Sequence, residues 1–429
     1  MQGVMNKRIT LIEHIKGLIY DDESHLNGPL RGYKCRRLKQ LSDAYLLIVD
    51  DKIADFGHMQ HCRQHVHERL CKEEEDIMGI IDAKGGYVLP GFCDSHTHLL
   101  YPCSREQELF DRARGLSYTQ ITQRGGGIHH SASYMAQLSD EELLLPALAR
   151  LDTILSTGTT TVEIKSGYGL TVAQEIRMLR LIKQLKAQRE ITIKSTFLGA
   201  HAYPSAFAHN HSIYMGQLLD EMIPQIAQEL LADYVDVFCE QGFFSVSETA
   251  RILERAAEYG LKGRLHTNQF HHIGGIACGL AHQVRTLDHL EVLTDEEIDA
   301  IAQSDVIATL LPGCSFFMDE PYAPAARLIK AGAALALATD YNPGTNPSGS
   351  MPFVLSLACM RMHMKVEEAI HAATINGAYA LDCADSQGSI TVGKRADLIL
   401  TKPIPSLQHL PYAYTDNQIE SVFCGGKWI

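Results

Sequence analysis

The sequence predicts an α/β protein, a (β/α)8 TIM-type barrel joined to a small β-sandwich domain built from both termini. Three observations predict it. Eight apolar strand-like runs alternate with helical patterns through the middle of the 429-residue chain. Short strand-and-turn patterns occur at the two ends. Several of the middle strands end in a histidine or an aspartate.

The first ~90 residues read as β-rich. Arg8-Ile9-Thr10-Leu11-Ile12 and Ala44-Tyr45-Leu46-Leu47-Ile48-Val49 carry strand chemistry, Asp50-Asp51-Lys52 is a turn, and Ile53-Ala54-Asp55-Phe56-Gly57 continues the ladder. The stretch from His58 to Glu75 is rich in His, Arg and Glu and reads as a solvated insertion or a short helix. Candidate barrel strands lie near 92–98, 159–165, 191–198, 233–239, 261–266, 284–289, 306–311 and 334–339. Helical patterns fill the gaps, as from Glu141 to Ser156, Thr171 to Gln188, Val246 to Tyr259 and Asp295 to Ala302. Strand chemistry returns at Ala396-Asp397-Leu398-Ile399-Leu400 and at Ile419-Glu420-Ser421-Val422-Phe423-Cys424, closed by Gly425-Gly426-Lys427. The economical division is 1–89 and 389–429 for the two parts of the β-sandwich and 90–388 for the barrel. An open doubly wound sheet would want a Gly-rich phosphate turn after an early strand. Gly125-Gly126-Gly127 does not follow a strand and lacks the GxGxxG spacing.

Composition narrows the function. The chain has 38 Lys and Arg against 51 Asp and Glu, a net charge of −13, which argues against nucleic acid as a partner. No apolar run approaches the roughly 18 residues of a membrane span, and the residues after Met1 lack the apolar core of a signal peptide. Eleven scattered cysteines without CxxC pairs fit a reducing cytoplasm better than a disulfide framework.

The strongest local signal is Leu89-Pro90-Gly91-Phe92-Cys93-Asp94-Ser95-His96-Thr97-His98. Strand alternation puts His96 and His98 on one face, so both imidazoles can reach one metal. HxH alone is weak, because His65-Val66-His67 and His209-Asn210-His211 also occur among 21 histidines and read as surface residues. Context separates the first pair: it lies at the C-terminal mouth of the first barrel strand, where barrel active sites are built. Later strands end in His266, His289 and Asp340. A carboxylate after the apolar run from Ala334 to Thr339 is costly unless paired, hydrogen-bonded or metal-bound. His96, His98, His266 and Asp340 together make an N3O set suited to one Zn²⁺ or Fe²⁺.

With these residues in view, the sequence resembles the amidohydrolase superfamily over nearly its whole length. The motifs that carry the resemblance are PGFCDSHTHLLYPCSRE (90–106), GTTTVEIKSGYGL (158–170), TFLGAHAYP (196–204), ATLLPGCSFF (308–317), ALATDYNPGT (336–345) and TINGAYAL (374–381). KSGYGL and DYNPGT are narrower than the superfamily pattern and point to one branch of it. The activity which that resemblance implies is hydrolysis of 4-imidazolone-5-propanoate to N-formimidoyl-L-glutamate in histidine degradation, by a cytoplasmic homodimer. It also implies His96, His98, His266 and Asp340 as metal ligands. Arg105, Tyr168 and His201 would hold the substrate, with Asn342, Gly344 and Thr345 around its propionate or ring and His289 assisting at the carbonyl.

The residue chemistry agrees. An arginine fork suits the substrate's carboxylate, and Arg105 stands seven residues after His98, above the first strand. Tyr168 sits between two glycines that permit a tight turn. Asn342-Pro343-Gly344-Thr345 is a stiff turn whose N–H and amide groups could grip a carboxylate. Asp340 is the expected general base, with His289 at the developing oxyanion. Gln269, three residues after His266, can hydrogen-bond a ring or a water but cannot act as a base. Ile128-His129-His130-Ser131 reads as a loop facing the substrate's side of the mouth. The competing readings are another cyclic amidohydrolase or an aminohydrolase of the same architecture, and a non-catalytic metal-containing barrel that binds a carboxylated small molecule.

Overall fold

The computed structural model describes residues 8–21, 28–73, 79–116, 120–121, 124–208 and 210–429. Met1–Lys7, Glu74 and Glu75 of the His-rich stretch, and His209 lie outside them. Eight parallel strands form one sheet in sequential order: β6 (Phe92–Asp94), β7 (Thr159–Lys165), β8 (Thr192–Ala200), β9 (Tyr234–Cys239), β10 (Lys262–Thr267), β11 (Thr286–His289), β12 (Ile307–Leu310) and β13 (Ala334–Leu337). The last run returns to the first. His98 N–H donates to the Tyr341 carbonyl at 2.9 Å and Asp340 N–H to the His96 carbonyl at 3.0 Å, with a parallel bridge between Thr97 and Tyr341. The predicted barrel is therefore present.

These strands are nearly continuous buried runs, as expected for parallel strands covered on both faces. Helix starts between them follow local chemistry. Ser139, Ser245 and Thr294 each cap a helix and pair with Glu142, Glu248 and Glu297 three residues on, in capping boxes that satisfy otherwise orphaned N–H groups. Helix residues such as Leu143, Leu151, Ile182 and Ile301 turn their apolar face into the shared core.

The two ends of the chain meet in a second eight-stranded sheet. Strands β1 (Ile9–Tyr20), β2 (Lys39–Val49), β3 (Lys52–His58), β4 (Gly79–Asp82) and β5 (Tyr87–Pro90) come from the first ninety residues. Strands β14 (Leu398–Thr401), β15 (Ile419–Cys424) and β16 (Lys427–Trp428) come from the last. β14 pairs antiparallel with β5, joining the two sets. One face buries Ile12, Ile15, Leu46 and Phe423. On the other, Leu11, Tyr45 and Leu47 are covered by Cys62 and Val66 from the helix Met59–Glu73. The His-rich stretch, over its described residues Met59–Glu73, thus forms a helix that packs on the sheet through Cys62 and Val66, and not a wholly solvated insertion.

Several boundaries differ from the sequence reading, and those at the mouth matter most. β6 stops at Asp94 and β13 at Leu337, so His96, His98 and Asp340 stand beyond the strands on the closing segments. β8 runs on to Ala200 and delivers His201 directly above the rim. Residues Ile128–Ser131, expected as a loop, lie in a short helix, Ile128–Met135, entered through Gly127 at φ 77°. A left-handed N-cap costs glycine little, and the chain can turn there into the helix.

Candidate active site

The C-terminal mouth of the barrel collects the residues that the sequence singled out. The His96 and His266 rings lie 4.4 Å apart between centroids, the His96 and His98 rings 5.5 Å, and the His98 and His266 rings 5.7 Å. Asp340 Oδ1 stands 3.6 Å from His96 Nε2 and 3.5 Å from His98 Nε2. Donor atoms of His96, His98 and Asp340 fall within 4.8 Å of one another, and so do those of His96, His266 and His289. The two groups share His96. His289, expected only beside the metal, is therefore as close to His96 and His266 as a ligand would be.

The donors fit a cation. His96 Nε2 and His266 Nε2 are buried without a hydrogen-bond partner among the described residues. Leaving such atoms unpaired is costly unless something binds them. Burial, with the positive Lys165 below, holds the His96 imidazole well under its ordinary pKa, and burial with neighbouring histidines does the same to His98. Neutral imidazole is the form that ligates a metal. Burial raises the Asp340 carboxyl, opposed by His289 and His266. Asp340 and His289 also take left-handed backbone, φ 55° and 81°, a conformation that non-glycine residues adopt mainly where surrounding structure enforces it.

Beneath the donors lies a buried ionic layer that sequence reasoning missed. Asp288 Oδ2 lies 2.7 Å from His96 Nδ1 and fixes a proton there, which leaves Nε2 to face the site. Asp236 Oδ2 sits 3.0 Å from His266 Nδ1. Lys165 Nζ donates at 2.8 Å both to Glu163 and to Asp236. Burial alone would lower its pKa, yet the two carboxylates keep it raised and charged. Arg264 donates to the Ser95 carbonyl at 2.6 Å and stands 3.4 Å from Asp288. The available signal was period two: Glu163 and Lys165 on β7, and Arg264 and His266 on β10, point to one side of the wall.

Above the donors opens a cavity of about 80 Å³, lined among others by Arg105, Tyr168, His201, Gln269, Asn342 and Thr345. Its lining, apolar and aromatic with a few convergent polar groups, suits a small molecule. His201 stacks on His98 with centroids 5.1 Å apart, and Tyr168 lies 6.1 Å from His98. Burial, with His266 nearby, pushes the His201 pKa down to about 3. Gln269 lies on the turn after β10, whose Phe270 and His271 N–H groups are gripped by Glu240 at 3.0 and 3.3 Å. Of Ile128-His129-His130-Ser131, it is Ile128 that reaches the cavity lining.

Two expectations change. The fork of Arg105 is already engaged: Nε and Nη2 donate to the two oxygens of Glu108 at 2.7 and 2.8 Å. The turn 342–345 does not offer N–H groups to a ligand. Asn342 Oδ1 accepts from Gly344 N and Thr345 N at 2.8 and 2.7 Å, while its Nδ2 donates to the Asp340 carbonyl and Thr345 Oγ1 at 2.7 and 2.6 Å. Asn342 therefore stiffens the turn beside Asp340, and Thr345 Oγ1 reaches Asp340 Oδ2 at 3.3 Å. Gly344 serves by absence, since a Cβ there would lie 2.5 Å from the Arg105 guanidinium carbon.

With this geometry in hand, comparison with known proteins decides the family. The model of the amidohydrolase family matches residues 87–429. The imidazolonepropionase of Flavobacterium psychrophilum is 49% identical over 420 residues, covering 98% of this chain and 100% of that protein. The chain belongs to the amidohydrolase family, among the imidazolonepropionases. The imidazolonepropionase of Caldanaerobacter subterraneus is 42% identical, with 92% of each chain covered. Among solved structures, an adenosine deaminase from Xanthomonas campestris with bound zinc superposes with TM-score 0.70 at 18% identity, covering 98% of this chain and 92% of that one. The guanine deaminase of E. coli superposes at 0.68 and 14% identity, covering 98% and 99%. These two share the fold. This member of the imidazolonepropionases is a hydrolase acting on a cyclic amide C–N bond, and its histidine–aspartate cluster suits a divalent metal.

Proposed function

We infer that the chain opens the ring of 4-imidazolone-5-propanoate to give N-formimidoyl-L-glutamate, with His96, His98, His266 and Asp340 holding one Zn²⁺ or Fe²⁺. The observation that carries this reading is one cavity lined both by Arg105 and by His98, His266 and Asp340. It pairs a group that binds carboxylates with donors for a hydrolytic metal. Bound there, the cation would supply Lewis acidity for the ring carbonyl and favour an ionised water.

The chain's own residues do the rest. Arg105 anchors the propionate and sets the distance from it to the ring. Tyr168 and His201 wall the ring in, and His201, held neutral by burial, adds no charge against the reaction. Gln269 donates or accepts at the ring without taking a proton. Asp340 accepts the proton of the attacking water and returns it to the leaving ring nitrogen. His289 faces Asp340 and the ligand histidines. Burial would depress its pKa, but the Glu291, Asp340 and Asp288 carboxylates raise it, so it can donate a hydrogen bond to the developing oxyanion.

Supporting a cytoplasmic setting, ten cysteines, Cys35 and Cys62 among them, are free thiols, and no described helix is long and apolar enough to cross a membrane. A homodimer would cover the exposed Met360, Tyr412 and Tyr414, on or beside the contacting helices Met351–Arg361 and His409–Tyr412. The test of the reaction is freshly made 4-imidazolone-5-propanoate with purified protein, followed by ultraviolet absorbance. Ring opening that stops with chelator and releases no ammonia is expected. Ammonia release, or no absorbance change, would contradict the reading.

A further inference from the structure

Glu108 has no place in the chemistry above, yet it backs Arg105, which lines the cavity. It is 6% exposed, and Arg105 is 9% exposed. Arg105 stands just before the helix Glu106–Ala113 and Glu108 is the third residue of that helix, the spacing at which side chains of one turn can meet. Both carboxylate oxygens are used, one on Nε and one on Nη2, so the whole side-on edge of the guanidinium is filled. Oε1 accepts a third hydrogen bond, from Gly127 N at 2.8 Å. Gly127 opens the helix whose Ile128 lines the cavity. On its other side the guanidinium rests on Gly344, whose carbonyl is held by Arg112 Nη2 at 2.7 Å. Three separate chain segments therefore converge on the Arg105–Glu108 pair.

Stability is a weak explanation for this arrangement. A buried ion pair returns little net stability after desolvation. Its geometric consequence is larger. The edge best shaped to receive a carboxylate is closed, so a ligand can meet only what remains of the guanidinium, in one fixed direction.

We propose that Glu108 is a positioning and specificity residue, which aims Arg105 so that the enzyme selects substrates bearing a carboxylate at one distance from the ring. This rests on the reading that Arg105 holds the substrate carboxylate. The aim is coupled through Gly127 to Ile128, so the same side chain sets both the charged and an apolar part of the substrate wall.

The experiment compares kcat/KM for 4-imidazolone-5-propanoate with that for its neutral carboxamide, which has nearly the same shape. Glu108→Gln keeps the size and an acceptor for Gly127. Its discrimination between acid and amide should fall on the order of ten- to a hundredfold, the worth of a charged hydrogen bond, through KM for the acid. The amide rate should stay near that of the parent. Glu108→Asp should recover part of the discrimination. Adding Glu108→Gln to Arg105→Ala should change nothing further. Equal losses on both substrates would assign Glu108 a packing role and overturn the proposal. So would a Glu108→Gln effect that persists in full without Arg105. Arg105→Ala that loses discrimination while Glu108→Gln keeps it overturns the proposal alone. Arg105→Ala that keeps discrimination overturns the reading of Arg105 as well.

Discussion

Asp288→Asn tests how the site is held. Asp288 and His96 are both fully buried, and Oδ2 lies 2.7 Å from Nδ1. The carboxylate can only accept, so the ring proton stays on Nδ1 and the Nε2 lone pair faces the site. An asparagine can present its NH2 instead, which permits the opposite tautomer with a proton on Nε2, where a cation would bind. Loss of an outer partner of a metal-binding histidine costs about 10- to 100-fold in metal affinity, about 1.4–2.7 kcal/mol. Arg264 keeps its bonds to the Ser95 and Ala380 carbonyls, so the layer below loses one contact and is not dismantled. The assay is competition for Zn²⁺ between metal-free protein and a chromophoric chelator. The thermal midpoint of the metal-free variant reports separately on the altered packing around Arg264. An affinity equal to the parent's, in a variant that remains folded, would refute the view that Asp288 orients His96.

Three further outcomes follow from the same geometry. Asp340→Asn removes the proton acceptor and should lower kcat by about 10²–10⁴ in the ring-opening assay; near-normal turnover would take Asp340 out of that role. Lys165→Met leaves Glu163 and Asp236 buried without their counter-ion and should cost about 3–5 kcal/mol in urea unfolding; unchanged stability would mean that the carboxylates are compensated elsewhere. Gly344→Ala brings a methyl 2.5 Å from Arg105, which Glu108 prevents from swinging aside. An arginine displaced by about 1 Å should lower kcat/KM for the acid on the order of 10²-fold, and a variant of parental efficiency would show that the clamp yields.

Much of the architecture was legible because it rests on short-range patterns. Alternating strand and helix periods marked the eight barrel strands. The apolar runs that feed His266, His289 and Asp340 placed those residues at the rim. Strand chemistry at both ends foretold a sheet shared between the termini, which the β5–β14 pairing provides. What stayed hidden depends on contacts between distant segments. Asp288 sits next to a residue that was noticed, but its partner His96 is 192 positions away. Lys165 reads as the polar end of a strand until Asp236 arrives from another. Arg105 was read as a fork for the ligand because its competitor, Glu108, shows itself only when the helix start is in place. Asn342 looked like a ligand group, yet a short amide beside Pro343-Gly344 folds back on its own turn, as asparagine often does. The helix Ile128–Met135 was missed because three glycines and two adjacent histidines suggest a loop, and the helix begins only at the last of those glycines.

The central claim is that four side chains from distant parts of the chain surround one cation at the barrel mouth. Anomalous diffraction from crystals of protein loaded with Zn²⁺ or Fe²⁺, recorded on both sides of the metal's absorption edge, tests it most directly. The account predicts one strong peak per subunit, within bonding distance of His96, His98, His266 and Asp340. A peak elsewhere, or a fully loaded crystal in which Asp340 points away from the three histidines, would contradict it.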